Sequence, residues 1–248
     1  MAESAGHLLM ETLPDEDFQR VLCVVAHPDD VEYGTSGAVA RWVERGVTVG
    51  YLLLTSGEAG MQRPPAEVGP LRAAEQRAAC AVVGVEHLQI LDHPDGTLVY
   101  SLDLRRDIAR AIREFRPDVV VTGSWEVDFI AGLNQADHRA AGLATVDAIR
   151  DADNTWVFPE LASEGLEKWG VTWLLVAGDS RPTHGLVLDE AAVSKAIASL
   201  EAHREYLADI PGHPAARDLL AGIFAGQGEA MGAEAAVLFR TYHLRPFG

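Results

Sequence analysis

The sequence predicts an α/β fold, a mostly parallel sheet with helices on both faces, and three observations predict it. Apolar, β-branched runs alternate four times with stretches of helical periodicity. The runs are solid, without the in-and-out alternation of a half-exposed strand, as expected where helices cover both faces of a sheet. Polar residues gather in the loops that follow the runs. In order, residues 20–26 (RVLCVVA) form the first strand, and residues 31–45 carry apolar and small residues at helical spacing until Gly46 stops them. Residues 47–55 (VTVGYLLLT) form a second strand ending in the polar turn Ser56-Gly57-Glu58. Residues 71–83 (LRAAEQRAACAVV) form an Ala-rich helix closed by Gly84, and a third strand spans 87–91. A helix over 104–115 leads through Arg116-Pro117-Asp118 into a fourth strand, 119–122, and after a long loop a helix covers 139–150. No repeat, low-complexity tract or Ser/Gly linker divides the chain, so a single domain over 1–248 is expected.

Composition narrows the function classes. Twenty Lys and Arg against 37 Asp and Glu give a formal charge of −17, which repels phosphate backbones and anionic leaflets, so no nucleic-acid or membrane role is expected. The apolar runs fall far short of the ~18 residues that span a bilayer. The N-terminal stretch MAESAGHLLMETLPDEDFQR is acidic and lacks the apolar core of a signal peptide, which reads as cytoplasmic. Cys23 and Cys80 cannot form a disulfide framework for a chain this size and read as core residues of a reducing compartment.

In open α/β sheets chemistry sits beyond the carboxyl ends of the strands. The first such loop reads His27-Pro28-Asp29-Asp30. Two adjacent carboxylates repel one another, and a cation nearby relieves this. His27 and Asp30, three apart across a Pro-fixed turn, could both ligate a metal and leave Asp29 free to act on water; the plainer reading is that one Asp caps the following helix. The loop after the fourth strand, 123–140, ends in Asp137-His138, which places His138 at a helix start as a third ligand. A His/Asp/His set suits Zn²⁺ with an open position for water. Hard Mg²⁺ on Asp29 and Asp30 is the rival, but it would not recruit two histidines.

These residues, with Gly34, Gly37, the Thr55-Ser56-Gly57-Glu58 turn, Arg72, Glu75 and Asp137-His138-Arg139, resemble the LmbE-like, or PIG-L, N-acetylglucosaminyl deacetylase family. The later segments Phe158-Pro159-Glu160-Leu161, 195–203 and Gly232-Ala233-Glu234 extend the resemblance over nearly the whole chain. It implies a Rossmann-like, zinc-dependent domain that hydrolyses an N-acyl amide, acetyl first, on an amino sugar or related small molecule. It implies His27, Asp30 and His138 as metal ligands, Asp29 as general base, and Asp137 beside them. It also implies Arg72 and Asp95 as groups that hold substrate, with Glu58 in the adjoining turn. Arg72 could equally pair with Glu75 or Glu67, and Asp95 before Gly96 is good turn chemistry. Trp125, directly after the fourth strand, could stack on a sugar, as could Phe129, Trp156 and Trp173 near other loops, although a Trp in a domain of this size is usually core.

One position departs from the family pattern. Where many members carry a histidine that stabilises the oxyanion, this chain has Gln135, which can donate a hydrogen bond but carries no charge. Catalysis then leans on the metal and Asp29, or on a histidine such as His184 or His203. Three alternatives stay open: an amidase of mycothiol-type thiol conjugates, a deacetylase tailoring a natural product, and a degenerate module that binds metal or sugar without turnover. The Gly- and Pro-bearing segment 211–232 is expected to form a mobile cover. A homo-oligomer, common for such domains, is compatible with all of these.

Overall fold

The computed structural model describes residues 9–129 and 132–245. The first eight residues of the acidic N-terminal stretch lie outside the described part. One eight-stranded sheet organises the rest, in the order β1-β9-β10-β8-β5-β2-β3-β4. Its centre is parallel: the four predicted strands, β2 (Arg20–Val25), β3 (Thr48–Leu53), β4 (His87–Ile90) and β5 (Val119–Gly123), are joined by a fifth that was not predicted, β8 (Trp173–Ala177). The far side adds β1 (Glu11–Thr12), β9 (His184–Val187) and β10 (Ala236–His243), with β10 antiparallel to both of its neighbours. A small hairpin, β6 (Asp128–Phe129) and β7 (Gly132–Leu133), stands apart in the loop after β5.

The solid runs predicted two buried faces, and the sheet has them. Cys23 and Val25 of β2 join Trp42, Leu200 and Phe224 in one core, under α1 (Ser36–Glu44), α2 (Pro65–Val83), α6 (Glu190–Glu201) and α8 (Ala216–Met231). Leu22 and Val24 join Ile108, Ile112 and Ala148 in the other, under α3 (Leu102–Phe115) and α4 (Ala136–Ala152). The short helices α5 (Pro159–Ser163) and α7 (Arg204–Asp209) complete the order. Both cysteines are free and buried, as expected of core residues. No helix among the described residues is long and apolar enough to cross a membrane.

Three expectations change. The helix predicted from residue 31 begins at Ser36, because residues 28–35 coil in turns that form the floor of the site. The helix predicted from residue 71 begins at Pro65, with proline at its first position, where a missing N–H costs nothing, and it runs through Pro70. Segment 211–232 is not a loose cover. Its prolines and Gly212 lie before Ala216, and most of the rest is α8, with Leu220 and Phe224 in the core. Gly228 is needed there: a Cβ would come within 2.5 Å of the Ala233 carbonyl oxygen.

Candidate active site

The strand order reverses between β2 and β5, which lie side by side and parallel, with Val24 opposite Thr122. The loops leaving their carboxyl ends therefore open into one crevice, the usual ligand position in such sheets. The loop after β2 is tightly wound. The His27 N–H donates to Asp30 Oδ2 at 2.9 Å, and Asp29 adopts φ +83°, a left-handed conformation unusual for a residue other than glycine. The Asp29 N–H is held by Gln76 Oε1 at 2.9 Å, and its carbonyl accepts from the Tyr33 N–H at 3.1 Å. The second loop delivers α4, whose N-cap is Gln135, so Asp137 and His138 fall in its first turn.

These two loops bring His27, Asp30 and His138 together, with one ligand atom from each lying within 4.8 Å of the others. His138 Nε2 is 3.1 Å from Asp30 Oδ1, and the two imidazole centroids are 5.2 Å apart. A second trio, His27, Asp95 and Asp137, meets the same spacing. His27 belongs to both, through different nitrogens: Nδ1 is 3.6 Å from Asp30, while Nε2 is 3.0 Å from Asp95 and 3.3 Å from Asp137. Asp137 is fixed from behind by the Gly96 N–H at 2.7 Å and the Leu98 N–H at 3.1 Å.

The electrostatics follow the geometry. Burial disfavours the charged form of His27, yet hydrogen bonds to Asp137, Asp30 and Asp95 outweigh it and raise its pKa to about 12. Burial likewise opposes Asp30, but His138 and His27 hold it well below the usual carboxylate range. Asp29 differs from its neighbour. Burial lifts its pKa to about 7, with Asp30 pushing the same way, against the attraction of Arg72 and His27. Its Oδ2 lies 3.1 Å from Arg72 Nη2 but makes no hydrogen bond. Like-charged neighbours with pKa values driven apart are the pattern of a ligand beside a proton-transfer group.

The residues expected to hold substrate are placed variously. Asp95 accepts from the Ala59 N–H at 2.7 Å, and Glu58 from the Asp95 N–H at 2.9 Å, so the two brace one another beside His27. Arg72 is buried: it donates to the Gly57 and Pro28 carbonyls, pairs with Asp29, and stacks 3.8 Å from the Tyr206 ring centroid. Its contacts thus support Asp29 and the surrounding loops. Trp125 packs against the core beneath α4, its ring 6.4 Å from that of Tyr242, in the space left by Gly142. Gln135 is exposed at the helix start, with no side-chain capping bond.

Of the two histidines considered as helpers, His184 lies on β9 among Thr183, Thr241 and Glu11. His203 is fully buried, 3.8 Å from Glu32, and burial together with the Arg72 charge lowers its pKa to about 3. Neither lines the crevice. The reading of the sequence missed the pair Tyr33 and His213, joined at 2.8 Å, which reaches the crevice through Tyr33. Nothing in the local pattern of either residue signals a contact between segments so far apart in the chain.

Beside the trio, a cavity of about 520 Å³ extends between the sheet and α8, and Asp30, His138 and Phe129 are among the residues that line it. Residues 22–149, just over half of the chain, match the family model described as PIG-L, GlcNAc-PI de-N-acetylase. A diacetylchitobiose deacetylase of Thermococcus kodakarensis is 31% identical over 139 residues, which take in 55% of this chain and 51% of that protein. The chain thus matches about half the length of that curated relative. The solved N,N′-diacetylchitobiose deacetylase of Pyrococcus horikoshii superposes with a TM-score of 0.82 at 22% identity, over 94% of this chain and 89% of that one. The 4-carboxy-2-hydroxymuconate hydratase GalB of Pseudomonas putida superposes with 0.75 at 20% identity, over 93% and 98%. At these identities the structural likenesses establish the fold, and one architecture carries more than one chemistry. The family model rests on the segment that builds the crevice, and on it the chain belongs to the PIG-L family.

Proposed function

We propose that this protein is a metal-dependent hydrolase that removes an N-acyl group from an amino sugar or a closely related small molecule. The observation that carries the reading is the convergence of His27, Asp30 and His138 next to Asp29, whose buried Oδ2 has no hydrogen-bond partner. Two imidazoles and one carboxylate fit Zn²⁺ better than Mg²⁺, which favours an all-oxygen set. His27 would offer Nδ1 to the metal while its Nε2–H donates to Asp137 and Asp95, a carboxylate–histidine arrangement that fixes the ring and its tautomer. When bound, a zinc ion supplies Lewis acidity toward the amide carbonyl and toward water.

The chain's own groups do the rest. Asp29, its pKa raised above the ordinary carboxylate range by burial, is placed to accept a proton and to return it to the departing amine. Arg72 holds Asp29 in place, and Gln76 fixes its backbone. Gln135, free at the mouth, donates a hydrogen bond to the developing oxyanion without charge. Asp95 and Glu58, braced by the Ala59 and Asp95 N–H groups, border the polar side of His27 where the sugar would lie.

Amine release from N-acetylated amino sugars by the zinc-loaded protein, measured before and after chelation and again after metal is restored, tests this reading. Release that vanishes with the metal and returns with it is expected. A protein that binds zinc and sugar yet frees no amine would be the degenerate binder, disabled where histidine is replaced by Gln135.

A further inference from the structure

The cavity beside the trio is large for an acetyl group and built for a different one. At about 520 Å³ it exceeds three-fold the ~150 Å³ that accommodates benzene in an apolar protein interior. Its walls are mostly carbon: Val25 and Val121 from the sheet, Val237 and Leu238 from β10, and Leu219 and Ile223 from α8. The helix is patterned for this. Leu220, Phe224 and Gly228 are buried, whereas Leu219, Ile223 and Gln227, again four apart, form the adjacent stripe on the cavity and are only half-buried.

Several of the polar groups on its walls are already engaged. The Asn134 amide nitrogen donates to the Ser124 carbonyl at 2.6 Å and to that of Glu126 at 3.0 Å, Gln227 Oε1 accepts from the Leu238 N–H at 2.6 Å, and the Tyr33 hydroxyl is bonded to His213. The Thr122 hydroxyl is buried without a partner. A sugar turned into this space would lie mostly against carbon, and each hydroxyl left unpaired there costs about 1–3 kcal/mol. An alkyl chain would leave none. Asp30 and His138 of the trio line this cavity, so an acyl chain lying in it would bring its carbonyl to the metal-binding side chains, with the amine side toward Asp95, Glu58 and Gln135.

From this continuity we infer that the cavity is an acyl-chain site, and that the preferred substrates are amino sugars bearing a medium-length aliphatic N-acyl chain. The inference rests on the N-deacylase reading, which it refines. The test is a series of N-acetyl-, N-butanoyl- and N-octanoylglucosamine, followed by amine release from the zinc-loaded protein. Full transfer of a methylene from water improves binding about four-fold. Half of that, on a logarithmic scale, over the six methylenes from acetyl to octanoyl raises kcat/KM about 60-fold. Ile223→Phe, with its fold checked by circular dichroism, should shift the preference toward shorter chains.

Acetyl release with a flat or falling dependence on chain length overturns the acyl site and leaves the deacylase reading standing. If no member of the series is hydrolysed, the deacylase reading fails, and calorimetry on the same zinc-loaded protein decides the cavity's role. Octanoylglucosamine bound at least ten-fold more tightly than acetylglucosamine supports the acyl site, and equal or weaker binding overturns it.

Discussion

Asp29 concentrates the local constraints. It is buried, carries a left-handed backbone, and sits between Asp30 and Arg72. Its role in proton transfer is separable from metal binding by substitution. Asp29→Asn should leave zinc stoichiometry unchanged while cutting turnover at least about 100-fold, whereas His138→Ala should lose the metal; elemental analysis beside amine release reads both. Loss of zinc from Asp29→Asn with activity intact contradicts the assignment. Arg72→Ala strands a buried carboxylate and should cost about 3–5 kcal/mol in denaturant unfolding, less when Asp29→Asn is present in the same chain. His203 supplies a pH test away from the crevice. Its folded pKa of about 3 lies below the ordinary 6.5, so its contribution to stability is whole above pH 6.5 and falls as pH drops toward 3, by about 1.4 kcal/mol per unit. Relative to the unaltered protein, His203→Gln should lose that slope across this window, and an unchanged difference would rule it out. The sequence showed His27, Asp29 and Asp30 because adjacency and a proline bind them into one turn. It could not show that Arg72 faces Asp29 or that Trp125 turns into the core, since those placements depend on side-chain packing across the fold.

Helix α4 is the element that makes the site a site. Its first turn supplies Asp137 and His138, and one turn further on Gly142 lets the helix lie against the end of β5: a Cβ there would stand 2.6 Å from the Gly123 carbonyl oxygen and 3.3 Å from Trp125. Gly142→Ala should therefore destabilise the protein by about 1–3 kcal/mol and weaken zinc binding together, because it pushes the start of α4 away from the β2 loop; a thermal melt and a zinc titration on the same sample check it. Stability lost with zinc affinity unchanged would show that the helix start is held independently. Glycine was a misleading guide elsewhere. In 211–232 it suggested a loop, whereas Gly228 marks close packing inside α8. The strands β2, β3 and β5 were legible from their solid apolar runs and β4, an edge strand of alternating exposure, from its place in the alternation, but β8, β9 and β10 were not read. β9 is short and carries His184 and Gly185, β10 opens on the apolar Ala236–Phe239 but pairs antiparallel outside the strand–helix alternation, and β1 is only two residues long.

At the scale of the whole molecule, the order of the sheet explains why two distant loops meet. A chain that winds outward from β2 through β3 to β4, then returns to β5 and β8 on the other side, must leave a crevice between β2 and β5. The alternation along the sequence implied such a sheet, yet the crevice's depth and apolar wall come from α8 and β10, late segments whose positions only tertiary packing fixes. The charge of −17 bears on this picture at long range: it disfavours approach of polyanions, while a divalent cation in the crevice would offset locally the repulsion between adjacent carboxylates. Anomalous diffraction at the zinc absorption edge, from crystals of zinc-loaded protein, would locate that cation. A single peak within about 2.0–2.2 Å of His27 Nδ1, Asp30 and His138 is predicted. A peak held instead by His27, Asp95 and Asp137, or none in the crevice at full zinc occupancy, would contradict it.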